Sequence, residues 1–185
     1  VQTGTFFDNL RLTRKRNNRA KPAVLVQNPS FEIPAFIGHD NLYRNVVGWR
    51  NIAVDYRAYA RKRANVTPPS GSNYLEGGSQ YNMQTYLGAG LEANKNYQVT
   101  VKSRLHPDSN TPGGARVVLD IGSTQLIGGV TVDGAEWKEM SVCFNTGPQS
   151  NIDNGIALTL TGDPAAPVWC LYDDVRLVPV ENCPQ

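Results

Sequence analysis

Ile156-Ala157-Leu158-Thr159-Leu160-Thr161 decides how this chain reads. Ile156, Leu158 and Leu160 fall on one side of an extended backbone and Ala157, Thr159 and Thr161 on the other, because successive side chains of a strand point to opposite faces. The same period of two recurs upstream. Tyr97, Val99 and Val101 oppose Gln98, Thr100 and Lys102, and Val117, Leu119 and Ile121 oppose Val118 and Asp120. Turn-forming residues cluster between these stretches, at 107–114, Asp133-Gly134, 146–154 and 162–167. Short alternating strands with such turns predict an all-β chain, an antiparallel β-sandwich or jelly roll. Parallel α/β is excluded by the absence of helix-length crossovers.

A second strand-like segment occurs twice. Tyr172-Asp173-Asp174-Val175-Arg176-Leu177 closes the β-rich region, and Phe7-Asp8-Asn9-Leu10-Arg11-Leu12 repeats its pattern at the front. The stretch 14–21 is basic, with no aliphatic residue larger than Ala. Three segments follow: an N-terminal strand and basic arm at 1–21, a β domain at 22–180 and a tail at 181–185. Charge divides the same way. Residues 1–65 hold 12 Lys/Arg against 4 Asp/Glu, and residues 66–185 hold 6 against 12. A basic front suits an acidic partner or a solvated tail. Nucleic acid is not an expected partner, because the remainder is acidic and carries no nucleic-acid-binding motif. No apolar run approaches membrane-spanning length, so no membrane insertion is expected.

Cys143, Cys170 and Cys183 are the only cysteines. Alternation puts Met140, Val142 and Phe144 on one face and Cys143 on the other. It likewise groups Trp169, Leu171, Val175 and Leu177 and turns Cys170 away. A Cys143–Cys170 disulfide is the expected pairing if their strands are neighbours, with Cys183 as substitute partner or free. Three reduced thiols are the other reading. A bridge suits an exported protein. One sequon, Asn65-Val66-Thr67, is present.

No catalytic constellation emerges, and the chain is not expected to be an enzyme. His39 and His106 sit in polar loops beside Asp40 and Asp108. Glu136 and Glu139 flank Trp137 without making an argument for a carboxylate pair.

The order Asn28-Pro29-Ser30-Phe31-Glu32, Gly48-Trp49, Ser70-Gly71-Ser72, Gln84, Asn94-Lys95-Asn96-Tyr97, Glu136-Trp137, Tyr172-Asp173-Asp174-Val175 resembles galactose-binding-like jelly-roll modules. Within them it resembles most the carbohydrate-binding modules that open with Asn-x-x-Phe-Glu and close with an Asp-Asp-Val strand. The resemblance spans residues 23–178. It implies non-catalytic binding of a polysaccharide or other glycan by an extracellular or cell-surface protein. It also implies a structural calcium where first and last strands meet. The implied ligands are Glu32, Asp173 or Asp174, and the carbonyl of Ser30. Alternation speaks for Asp173, which it places on the face of Leu171, Val175 and Leu177, where a carboxylate requires a partner or a hard cation. Hydrogen bonds to backbone amides, without metal, are the alternative.

A sugar site requires aromatic faces and planar polar groups. Residues 43–86 are richest in both, with Tyr43, Trp49, Tyr56, Tyr59, Tyr74, Tyr81 and Tyr86 interleaved with Arg50, Arg57, Arg61 and Gln84. The leading candidates are Tyr56, Arg57, Tyr59 and Arg61, joined by Trp49, Tyr81 and Gln84. The alternatives are a core Trp49 and a solvated basic strand. Arginines favour an anionic glycan, a uronate or sulfate ester, through forked hydrogen bonds. A different class of function starts from the front strand. Phe6, Leu10 and Leu12 share a face that water does not suit, so residues 1–13 either self-associate by adding to a neighbouring subunit's sheet, in a fibre or surface layer, or belong to an upstream repeat or their own sheet edge.

Overall fold

The computed structural model describes residues 26–32, 42–43, 46–52, 59–78, 82–88 and 90–183. The N-terminal strand and arm, Tyr56, Arg57 and Tyr81 lie outside them. Five strands come first: β1 (Leu42–Tyr43), β2 (Arg50–Asn51), β3 (Tyr59–Arg61), β4 (Tyr74–Gly78) and β5 (Met83–Leu87). Four longer ones follow: β6 (Asn96–Leu105), β7 (Gly113–Ile121), β8 (Thr124–Val132) and β9 (Lys138–Asn145). A single helical turn and a half, α1 (Gln149–Asp153), precedes β10 (Ile156–Gly162) and β11 (Trp169–Val180). Among the described residues no helix is long and apolar enough to cross a membrane.

The strands form two antiparallel sheets, ordered β1-β3-β4-β11-β6-β9 and β2-β5-β10-β7-β8. Alternation did the folding work the sequence suggests. Tyr97, Val99 and Val101 of β6, Val117, Leu119 and Ile121 of β7, and Ile156, Leu158 and Leu160 of β10 join one apolar core between the sheets. Tyr97 stacks on Phe144 with ring centroids 5.9 Å apart. The opening motif closes one end: Phe31 is fully buried and packs on Trp49 at 5.3 Å. Trp49 is 5% exposed, and its indole N–H donates to the Gln27 carbonyl at 2.9 Å.

Strict alternation fails in β11. Asp173 pairs with Lys102 but Arg176 pairs with Thr100, so three steps on β11 oppose two on β6. The extra residue is a bulge at Asp174, whose φ is 54°, a left-handed conformation that Asp tolerates better than most residues. Inserting one residue reverses the phase of everything beyond it. Cys170 and Tyr172 therefore face the core together with Val175 and Leu177. Leu171 faces outward, under a satellite cluster with Val66 and Tyr74. Two expectations are corrected. Asp173 shares the outward face of Leu171 rather than the core face of Val175, and Cys170 points inward rather than away.

The expected Cys143–Cys170 pair is likewise corrected. Cys143 is bonded to Cys183, with S–S 2.05 Å and Cα atoms 5.3 Å apart, and Cys170 is a buried free thiol. Strand β6 separates β9 from β11, and Cys143 sits opposite Gln98 whereas Cys170 sits opposite Leu105. Seven residues of β6 put the two cysteines about 23 Å apart along the strand, and they point to opposite faces. Burial pushes the Cys170 thiol up to about 12, so it stays protonated.

Candidate functional site

The outer face of the five-stranded sheet is built from the residues its strands turn away from the core. Register aligns them in rows across the sheet. Arg50, Gln84, Thr159, Val118 and Ile127 form one row, and Tyr86, Ala157, Asp120 and Gln125 form the next. Tyr86 is 53% exposed. The Arg50 guanidinium lies 4.9 Å from the centre of that ring, within cation–π range. Arg50 Nη2 donates to the Tyr86 hydroxyl at 2.6 Å and its Nε donates to Gln84 Oε1 at 2.9 Å. Gln84 Nε2 in turn donates to Thr159 Oγ1 at 3.2 Å. These bonds hold an aromatic ring, a fixed cation and an amide side by side, which suits a hydroxyl-rich ring with one apolar side. Two strands away a cavity of about 350 Å³ is lined by Arg116, Gly129, Thr131 and Asp163. Arg116 Nη2 pairs with Asp163 Oδ1 at 2.6 Å in its wall.

The sequence candidates do not converge on this face. Gln84 belongs to it. Trp49 is core. Tyr59 and Arg61 lie on the outer face of the other sheet, on β3, opposite Glu76 and Tyr74 of β4. There Arg61 is spent on structure. Glu76 is fully buried and receives Arg61 Nη1 at 3.2 Å, Arg63 Nε at 3.1 Å and His106 Nε2 at 3.4 Å. Burial opposes ionisation of Glu76, but His106, Arg61 and Arg63 around it outweigh that and hold its carboxyl below the ordinary range. Asp108, paired with Arg63 at 2.9 Å, caps the cluster. His106 lies edge-on to Trp169 at 5.3 Å. Arg50 and Tyr86 stood in the aromatic- and arginine-rich stretch, yet nothing local set them apart from Tyr59 and Arg61. Which strand joins which sheet made the difference.

The residues implied for calcium gather where the opening motif meets β11. Val175 N–H donates to the Pro29 carbonyl at 3.0 Å. Asp173 is fully buried. Its Oδ2 accepts from the Ser70 amide at 2.8 Å, whereas Oδ1 has no hydrogen-bond partner. Glu32 Oε1 accepts the amides of Ser72 and Asn73 at 2.8 and 2.7 Å. Gly71, at φ 64°, lets the 70–73 turn wrap that carboxylate, since a Cβ there would lie 2.4 Å from Glu32 Oε1. Burial raises Asp173 to about 7, opposed by the Ser70 and Asp174 amides and reinforced by the negative charges of Asp174 and Glu32. Asp174 is committed elsewhere, to Arg176 at 2.8 Å and Lys102 at 3.2 Å. Among the described residues no three His, Cys, Asp or Glu side chains form a metal cluster. A cation here would rest on two carboxylates and on carbonyl oxygens. An orphaned buried carboxylate oxygen beside a second carboxylate fits a hard cation, and the donor set is oxygen only.

The architecture is the antiparallel β-sandwich of carbohydrate-binding modules. The chain is similar to the CBM22-1 xylan-binding domain from Paenibacillus barcinonensis Xyn10C, at TM-score 0.56 and 11% identity, over 80% of this chain and 100% of that one. It is similar to TmCBM61, solved in complex with beta-1,4-galactotriose, at TM-score 0.55 and 18% identity, over 85% and 99%. It is also similar to a cyclase from Fischerella sp. TAU, solved in complex with 4-(1H-indol-3-yl)butan-2-one, at TM-score 0.65 and 19% identity, over 86% and 99%. Identities this low establish shared fold and nothing finer. No family model and no curated protein matches the chain.

Proposed function

We propose that this chain is a non-catalytic carbohydrate-binding module whose ligand lies on the outer face of the five-stranded sheet. The observation that carries the proposal is the exposed Tyr86 ring, oriented by Arg50 and Gln84 beside Thr159. The solved modules of this fold, described as xylan-binding or holding a galactotriose, support the same class of ligand. The two arginines of the face, Arg50 and Arg116, favour an anionic polysaccharide, because a guanidinium pairs with carboxylate or sulfate in a forked geometry. A cell-surface or extracellular setting agrees with the Cys143–Cys183 bridge, since disulfides persist in oxidising compartments. Glu32 and Asp173 would hold a structural calcium with nearby carbonyls such as that of Ser30. When bound, calcium would neutralise two carboxylates and tie the opening motif to β11.

The test is titration calorimetry against xylan, galactan, polygalacturonate and a sulfated galactan, on wild type and Tyr86→Ala. Binding by the wild type that falls at least tenfold in Tyr86→Ala supports the proposal. Binding that survives Tyr86→Ala unchanged places the ligand elsewhere and overturns the site. No heat with any of the four glycans overturns the function.

A further inference from the structure

Strand β8 is the outermost strand of the five-stranded sheet, and its sequence is Thr124-Gln125-Leu126-Ile127-Gly128-Gly129-Val130-Thr131-Val132. One side of it pairs with β7 over all nine residues. Among the described residues no strand pairs with the other side. Edge strands of stable monomers carry charges, prolines or bulges that prevent further pairing. β8 carries none: it has no charged residue and no proline, and its register with β7 runs without a shift. Ile127 is 53% exposed. Leu126 and Val130, on the inner side, pack only partly against the core.

We propose that β8 pairs antiparallel with β8 of a second copy of this chain, joining two five-stranded sheets into one continuous sheet of ten. The strand is complementary to itself. A two-fold axis at Gly128 pairs all nine residues and keeps inward side chains opposite inward ones. It sets Ile127 against Gly129 of the other copy, a large side chain over an open backbone, and Leu126 against Val130. It sets Gln125 against Thr131. No like charges meet, so nothing electrostatic opposes the pairing. Gly128 is also where the two sheets of one copy draw together, since a Cβ there would lie 2.3 Å from the Ser141 carbonyl. β9 therefore runs beneath β8 rather than beside it, and the hydrogen-bonding edge faces outward.

The pairing has a consequence for the ligand face. Ile127, Gly129 and Thr131 line the cavity beside Arg116 and Asp163. In the pair each copy's Ile127 extends over the other's Gly129, so each cavity gains a wall from the second copy. The two faces lie side by side on one surface, and a polymeric ligand gains by binding both. The ligand part of this consequence rests on the proposed glycan site, whereas the pairing itself does not.

The experiment measures mass in solution by light scattering from 1 to 300 µM. The mass rises from 20.3 kDa toward twice that value. Ile127→Lys remains at monomer mass throughout, with an unchanged circular dichroism spectrum. Gln125→Cys/Thr131→Cys then forms an intermolecular disulfide between the two introduced cysteines. Within one chain these positions are about 20 Å apart along the strand and cannot join. A monomer at 300 µM overturns the proposal. So does a dimer that survives Ile127→Lys, or one that is lost when residues 1–13 are deleted, which would make the N-terminal segment the occupant of the edge. None of these results depends on glycan binding, so failure here is separable from failure of the glycan site.

Discussion

Replacing both bridge cysteines, Cys143→Ser with Cys183→Ser, is expected to destabilise the fold substantially. The bridge closes a loop with a sequence separation of 40. On the chain-entropy model, a loop of that size restricts the unfolded state by about 4 kcal/mol at 25 °C. For a chain of this size the loss lowers the melting temperature by roughly 8–16 °C. The mechanism has a geometric reason to act cleanly here. Cys143 lies on the outward face of β9 and Cys183 lies just past the end of β11, so removing the bridge opens no hole in the core. Urea unfolding of the oxidised wild type and the double variant measures the difference. Cys170→Ala is the control: it removes a buried sulfur, changes no loop, and costs about 1 kcal/mol. A loss under about 1 kcal/mol in the double variant would refute the entropic reasoning. It would show that the tail leaves the unfolded chain as free as before. A large loss in Cys170→Ala with the Cys183 thiol free to alkylation would refute the pairing itself.

Three further expectations concern the two faces. Arg50→Lys should weaken binding of an anionic glycan about tenfold, or ~1.4 kcal/mol, because Lys keeps the charge but loses the fork and the stacking on Tyr86; calorimetry reads the change, and a melting temperature equal to wild type excludes misfolding. Glu76→Gln should cost about 3–5 kcal/mol, since it leaves Arg61 and Arg63 without their buried partner. The pH profile identifies the cause. The folded carboxyl of Glu76 lies below its ordinary 4.5, so its contribution is complete above that value and lost as pH falls through the folded value. Urea midpoints of wild type should therefore drop in acid, and those of Glu76→Gln should drop less; parallel acid limbs would contradict the assignment. Asp173→Asn tests the calcium. Asp173 is raised from 3.8 to about 7, so without metal its contribution is complete below 3.8 and is lost as pH rises through 7. At pH 8 in chelator the Asn variant should be at least as stable as wild type. Calcium at a hundredfold excess over its dissociation constant should stabilise wild type by about 2.7 kcal/mol and leave the variant unmoved. Equal calcium responses would remove Asp173 from the site.

Alternation along the chain determined the fold class, strands β6, β7, β9 and β10 and the inward residues of those strands, because a strand's two faces are a local property with a period of two. The family resemblance, not alternation, brought Glu32, Asp173, Asp174 and the Ser30 carbonyl to notice as one group. The tertiary structure decided the rest. A single left-handed residue, Asp174, reversed the phase of β11, and a local reading at constant period carries Asp173 and Cys170 to the wrong faces. The bridge partner depended on β6 lying between β9 and β11, which is a matter of strand order and not of spacing. Tyr59 and Tyr86 look alike in the sequence. One sits on β3 beside a buried Glu76, and the other on β5 facing solvent with Arg50 across it. Exposure is a property of the surface that remains once two sheets have packed, and only non-local pairing says which surface that is.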